Sequence, residues 1–428
     1  MEKYLRIYKS SVFAKAAIFA FGYGIFFYLL QFFFAKTGML PNYPTAENIH
    51  NSDVAFYDSI AHRGYDASSD NTGFYILFPL IWRLSKLDIW GIIVVNVGFF
   101  SLGFGLLMSI IRQSDKQFWI LCLTLPAVYF ALIPYTESLF FFLGAWLFYA
   151  IEKEKTRQIW AALILISLVR ATAFFLLPSF LVAQVLSNPS NEIWKSFKTY
   201  LLRYALPITI GLAIFVIWQF IETGIWWAYV KKQSTVWGHV FSWPEVHFSN
   251  IENADWRHHW LSALAMFVNT VATILLLRIA FFWLKNGQRT ENPNLILSLG
   301  YLSMVLMSLL FLNPKYGGNH TNVMGANRYT FASPFLIYTL NYFYNLKYSS
   351  KTILTVFLGL GAFLALFRAY FSLNQFILVG IIPIILVLAF LLSRKSEKYK
   401  WLVFCVVAFN VFVQLHHFQQ FISGLYMD

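Results

Sequence analysis

Along this chain apolar runs alternate with short polar stretches from end to end. Several runs approach the ~20 residues needed to cross ~30 Å of hydrocarbon. A lipid-facing segment must satisfy its own backbone, and at this run length the helix does so. The pattern predicts an all-α polytopic membrane protein, one domain over residues 1–428. No repeat, linker or low-complexity stretch divides it.

Basic clusters between the runs set the expected orientation. Lys3, Arg6 and Lys9 precede Ser11–Phe34. That run is too long for a signal peptide and lacks a small-residue cleavage site, so it reads as an uncleaved first span. Residues 35–87 then form a long outer loop, broken by Pro41, Pro44, Gly64 and Gly73. Within it VAFYDSIA is expected as a short interfacial helix. Tyr75–Trp82 is too short to cross. Asp88–Ile111, Phe118–Pro134 and Leu139–Ile151 are the next three spans. Ile159–Leu186 is interrupted by Arg170 and has basic flanks on both sides. It predicts a hairpin of two short helices with Arg170 near the tip, a break tolerated where it lines a cavity. Tyr204–Ile221, Trp260–Trp283, Leu295–Leu312, Arg328–Tyr344, Thr352–Leu366, Phe376–Leu392 and Trp401–Phe421 follow. The total is about eleven full spans plus the hairpin. Residues 222–259 form a second outer loop, rich in Trp and His.

Composition sharpens this picture. The chain is 59% hydrophobic and only 12% charged, with a net charge of +13. A soluble domain is about a quarter charged. The basic excess sits in the short inter-run clusters, so it reads as topology and anionic-lipid contact, not as a nucleic-acid surface. Cys122 and Cys405 lie inside apolar runs, with neither metal spacing nor a disulfide framework.

Against so little charge, Asn51–Arg83 is unusual. It holds Asp53, Asp58, Asp66 and Asp70, with His62 and Arg63 between them. Aspartates near a bilayer are costly unless water, partners or chemistry need them. The same outer face is expected to collect Glu137, Arg170, Lys231, Lys232, Glu245, His247, Arg257, His258, His259, Lys315, His320 and Arg328. A carboxylate can take the proton from an incoming hydroxyl. Arginines suit a departing phosphate, because the guanidinium fork matches its oxygens. Together these groups fit transfer from a phosphate leaving group. Asp66 and Asp70 read as turn residues, and Glu137 fits a helix cap as well as a site. A lipid-linked-sugar flippase or exporter is the alternative. It calls for polar groups deep in several spans, whereas the spans here hold only Arg170, Arg278 and Arg368.

Asp53, Phe56-Tyr57, Ile60-Ala61-His62-Arg63-Gly64-Tyr65, Phe74-Tyr75 and Phe78-Pro79-Leu80 resemble the first outer loop of the PIG-V mannosyltransferase family. Tyr135-Thr136-Glu137-Ser138-Leu139-Phe140, Arg170 in LVRATAFFLLP, Val236-Trp237-Gly238 with Trp243-Pro244, and Arg328-Tyr329 before Pro334 follow in the family's order. The resemblance covers residues 50–335. It implies a GT-C glycosyltransferase that moves a hexose, expected to be mannose, from a polyprenyl-phosphate donor. The acceptor would be a lipid-linked or glycan hydroxyl on the non-cytoplasmic face, with inversion at the sugar carbon. It puts the family's loop-one acid on Asp53 as general base and its Tyr-x-Glu-Ser segment on Glu137. Asp58 and Glu137 are expected to assist Asp53. Arg170 and Arg328, with Lys231 or Lys232, are expected to hold the donor phosphate, and His62, Arg63, Tyr65, Trp237 and Tyr329 to contact substrate. The family's Trp before the acid is Ser52 here. No cofactor is expected. Asp53 and Asp58 are spaced i, i+5, on different helix faces, which disfavours a shared divalent ion. The short loops favour a bacterial inner membrane, with the endoplasmic reticulum as the eukaryotic equivalent. Neither nucleic acid nor a particular protein partner is implied.

Overall fold

The computed structural model describes residues 2–245, 248–249, 259–287, 292–314, 321–323, 325–366 and 373–425. The first apolar run is a single helix, α1 (Glu2–Lys36). The first long loop folds as α2 (Ala46–Ile49), α3 (Asp53–Arg63), a 3-10 turn over Asp70–Gly73 and α4 (Leu77–Ser85). The short helix expected at VAFYDSIA is present as α3. It ends at Gly64, whose φ of 84° suits glycine. Arg83 on α4 completes that end by donating to the Ile60 and Ala61 carbonyls at 2.8 and 2.7 Å.

α5 (Ile89–Ile110) is started by Asp88, whose side chain accepts from the Gly91 amide. The run Phe118–Pro134 is not the single span expected. α6 (Lys116–Leu123) stops, residues 126–131 wind as a 3-10 segment, and α7 (Glu137–Glu152) begins afresh. Pro126 lacks an N–H and holds Leu125 extended (φ −51°, ψ 133°), which stops the helix. Amides from other helices meet the carbonyls this break releases. Gln414 donates to Leu123 and Leu125 (3.0 and 2.7 Å), and Asn96 donates to Ile133 and Tyr135 (2.5 and 3.0 Å). Irregular backbone inside a membrane protein needs such partners.

Ile159–Leu186 breaks as expected. α8 (Thr156–Ser167) and α9 (Leu176–Leu186) flank Arg170, which is fully extended at φ −166°, ψ 159°. α10 (Ile193–Tyr200) runs through a π turn at Leu201–Ala205 into α11 (Leu206–Thr223). Then come α12 (Ala228–Thr235), α13 (His259–Asn286), α14 (Pro293–Phe311), α15 (Ala326–Phe331), α16 (Pro334–Tyr344), α17 (Ser350–Leu364), α18 (Leu373–Lys395) and α19 (Leu402–Ile422). α8 packs on α7 and α11, while α9 packs on α14, so the two halves are separate braces and not a paired hairpin.

Six helical segments among the described residues are long and apolar enough to cross a membrane: Ser11–Lys36, Ile89–Ile110, Ser190–Thr223, Trp260–Asn286, Pro293–Phe311 and Glu397–Ile422. The chain is an all-α polytopic membrane protein. These six are fewer than the eleven expected: proline splits the runs at 118–134 and 328–344, and α7 and α17 have only 16 and 15 residues, while α18, at 23 residues, has the length to cross although it is not among the six. In the core α5 lies between α1 and α7. Gly105 lets α1 close in, since a Cβ there would sit 2.7 Å from the Phe13 carbonyl oxygen. Two short strand pairs join two of the loops. β1 (His239–Phe241) runs antiparallel to β3 (Leu312–Pro314), and β2 (Phe248–Ser249) parallel to β4 (Thr321–Asn322). The loop after α12 is thereby fastened to the segment that leads to Arg328. His247, Arg257, His258, Lys315, His320 and Arg368 lie outside the described residues.

Candidate functional site

Asp53 is the first residue of α3. A carboxylate there is favoured by the partial positive charge of the helix N-terminus. Val54, Tyr57, Ile60 and Ala61 bury the helix against the core and fix its direction. Tyr57 meets Phe74, Phe78 and Tyr135 edge-on at 5.3, 5.4 and 6.1 Å. Ser52, just before Asp53, has φ 54° and ψ −133°. Such a backbone costs a side-chain-bearing residue on the order of 1–3 kcal/mol and persists only when its surroundings hold it.

Four ionic side chains from distant parts of the chain, Asp53 among them, meet in one cluster. Arg328 Nη1 donates to Asp53 Oδ2 at 2.8 Å, and Arg328 Nε donates to Glu137 Oε1. Arg170 Nη1 donates to the same Glu137 oxygen at 3.0 Å. The order Arg170–Glu137–Arg328–Asp53 alternates in sign. Two guanidiniums on one buried carboxyl favour its ionised form. Burial is graded along the chain. The side chain of Glu137 is 0% exposed and that of Arg170 11%, while Arg328 and Asp53 keep 17% and 18%. Arg328 lies over the rings of Tyr135 and Phe130 (4.6 and 5.1 Å), and Arg170 over those of Tyr329 and Phe140 (5.3 and 5.6 Å). Aromatic faces stabilise partly desolvated cations in this way.

Local breaks in the helices make the cluster geometrically available. Glu137 heads α7 after the irregular segment that Pro126 starts. Arg170 occupies the extended link between α8 and α9. Arg328 belongs to the six-residue α15, which Gly325 (φ 76°) introduces and after which Pro334 opens α16. Glu137 Oε2 is buried and accepts no hydrogen bond among the described residues. Buried oxygens are almost always bonded, so this one marks a position for water or a ligand donor.

Other expected residues sit elsewhere. Asp58 is held by His50 Nε2 at 3.2 Å and His62 Nδ1 at 3.0 Å, apart from the four-residue cluster. Arg63 is exposed at the end of α3. Tyr65 is a brace: its amide donates to Glu222 (2.6 Å) and its hydroxyl to the Phe74 carbonyl (2.8 Å). Lys232 pairs with Asp70 at 2.9 Å, and Lys231 is exposed. Trp237 stands edge-on to Phe74 at 5.5 Å and lies so close to Gly73 that a Cβ there would be 2.3 Å from the indole. Tyr329 lies under Arg170.

Three positioning side chains were not singled out from the sequence. Asn96 holds the turn before Glu137. Glu222 also accepts from Trp218 Nε1 at 2.9 Å, and Gln219 donates to the Thr72 carbonyl at 2.7 Å, so α11 grips the first long loop. A lone amide or acid in an otherwise apolar helix is the signal that could have found them. Among the described residues no group of three His, Cys, Asp or Glu is placed to hold a metal ion.

The chain was compared with family models, curated proteins and solved structures, and none of them matches it.

Proposed function

We propose that the protein is a membrane glycosyltransferase of the GT-C kind. It moves a hexose, mannose by the resemblance of its first loop, from a polyprenyl-phosphate donor to a hydroxyl of a lipid-linked or glycan acceptor. The observation that carries this reading is Asp53 bonded to Arg328, with Arg170 joined to the same guanidinium through Glu137. It supplies one carboxylate near the surface and two cations behind it. In the proposed reaction Asp53 takes the proton of the acceptor hydroxyl. The acceptor oxygen bonds the anomeric carbon on the face opposite the phosphate, and the bond from that carbon to the phosphate oxygen breaks. The electron pair leaves with polyprenyl phosphate, and Arg328 and Arg170 balance the charge on that oxygen. Attack from the opposite face inverts the sugar carbon.

The basic inter-run clusters support a site on the non-cytoplasmic face, and the short loops favour a bacterial inner membrane. An apolar cavity of about 220 Å³ reaches from Leu125 and Pro126 to Phe331, three residues beyond Arg328, and offers the start of the isoprenoid tail a place. The ionic groups gather at helix ends around one loop and are not strung through the spans, which favours chemistry over a flippase. The test is incubation of purified protein with polyprenyl-phosphate hexose and acceptor glycolipid. Release of polyprenyl phosphate by the wild type and its loss in Asp53→Asn are expected. Turnover retained by that variant removes Asp53 from the role. Cytosolic labelling of a cysteine at position 53 would defeat the assignment of the face.

A further inference from the structure

The two carboxylate contacts of Arg328 are unequal. Its Nε bonds Glu137, a fully buried acid that Arg170 also holds. Its Nη1 bonds Asp53 at 2.8 Å, and both of those side chains retain some exposure, 17% and 18%. The Glu137 contact is therefore the floor of the cluster, and the Asp53 contact is its accessible rim. An anion arriving from solvent meets the rim first. Phosphate oxygens and a carboxylate compete for the same guanidinium N–H groups, because both fit the fork. Asp53 Oδ2 accepts from Arg328 while the pair is closed.

We propose that the Arg328–Asp53 ion pair is a latch that a phosphate ester opens: the phosphate takes the guanidinium face that Asp53 holds, and Asp53 is released. The displacement rests on the geometry alone. Its consequence, that donor loading frees the Asp53 oxygen that Arg328 holds, rests on the transferase reading above. Asp53 is thus an internal competitor of the phosphate as well as the proton acceptor.

The experiment titrates farnesyl phosphate, with farnesol as the phosphate-free control, into full-length protein in nanodiscs by calorimetry. If the pair is closed about nine-tenths of the time, removing Asp53 raises affinity about tenfold. Asp53→Asn and Asp53→Ala, each checked for monodispersity, are expected to bind farnesyl phosphate about that much more tightly and farnesol unchanged. Arg328→Gln is expected to weaken the phosphate ligand, and adding Asp53→Asn to it is expected to change nothing further. Equal or weaker binding in both Asp53 variants overturns the latch, as does an absence of binding in every form. A gain that persists in the Arg328→Gln background is simple charge repulsion and overturns it too. Tighter binding in a protein that transfers no hexose upholds the latch and rejects the transferase. Transfer without the gain does the reverse.

Discussion

Glu137→Gln keeps the size of the side chain and removes its charge. In the wild type one Glu137 oxygen serves both Arg170 and Arg328, and the side chain has no exposure. Removing one partner of a buried ion pair costs about 3–5 kcal/mol, because the other charge stays buried without compensation. Two features move the expectation to the lower end. Arg328 keeps Asp53, and both guanidiniums retain some solvent, 11% for Arg170 and 17% for Arg328. A loss of about 3 kcal/mol is therefore expected. Thermal unfolding of detergent-purified protein, followed by loss of the monodisperse peak, is the assay. Arg170→Gln alone is expected to cost less, since Glu137 then still holds Arg328. The double variant is expected to be more stable than the sum of the singles by about 1–3 kcal/mol, as for residues in one network. A Glu137→Gln protein within about 0.5 kcal/mol of wild type, or a strictly additive cycle, would refute the claim that this acid is the anchor of the cluster.

Further variants probe the parts that hold the site. Gly73→Ala puts a Cβ 2.3 Å from the Trp237 indole. Overpacking of this kind costs about 1–3 kcal/mol, and a shifted tryptophan emission should accompany it. Asn96→Leu strands the Ile133 and Tyr135 carbonyls. Each stranded group costs about 1–3 kcal/mol, so a lower melting temperature is expected along with lost activity. Gln414→Leu does the same to Leu123 and Leu125, and also takes the acceptor from the Tyr23 hydroxyl. A melting temperature equal to wild type in both amide variants would show that these bonds do not hold the broken segment. Gly105→Val drives a side chain into the Phe13 carbonyl and the Ala17 Cβ. It should separate α1 from α5, read as lost crosslinking between cysteines placed on the two helices.

Hydropathy alone was enough for the class of the chain. Run length decides whether a segment can cross hydrocarbon, and that is a local property. The same local logic found α3 inside the first long loop and the break at Arg170, because a charge in an apolar run is itself a local signal. It failed at 118–134 and 328–344, where Pro126 and Pro334 split apolar stretches that look continuous. Proline costs less where other helices satisfy the freed carbonyls, and the amides that do so here, Asn96 and Gln414, come from distant positions.

Candidate chemistry divides along the same line. Sparse charge beside apolar runs draws attention to Asp53, Glu137, Arg170 and Arg328 together with more than a dozen other ionic residues, and the resemblance of the loops to a known family narrows them to these four. Which carboxylate meets which guanidinium does not follow. Arg328 reaches Asp53 across 275 positions and Glu137 across 191. Asp58 matches Asp53 in kind and in loop, yet it faces two histidines. Composition and periodicity act over a few residues. The partners of a buried charge are chosen by how helices pack, and only the assembled bundle holds that information.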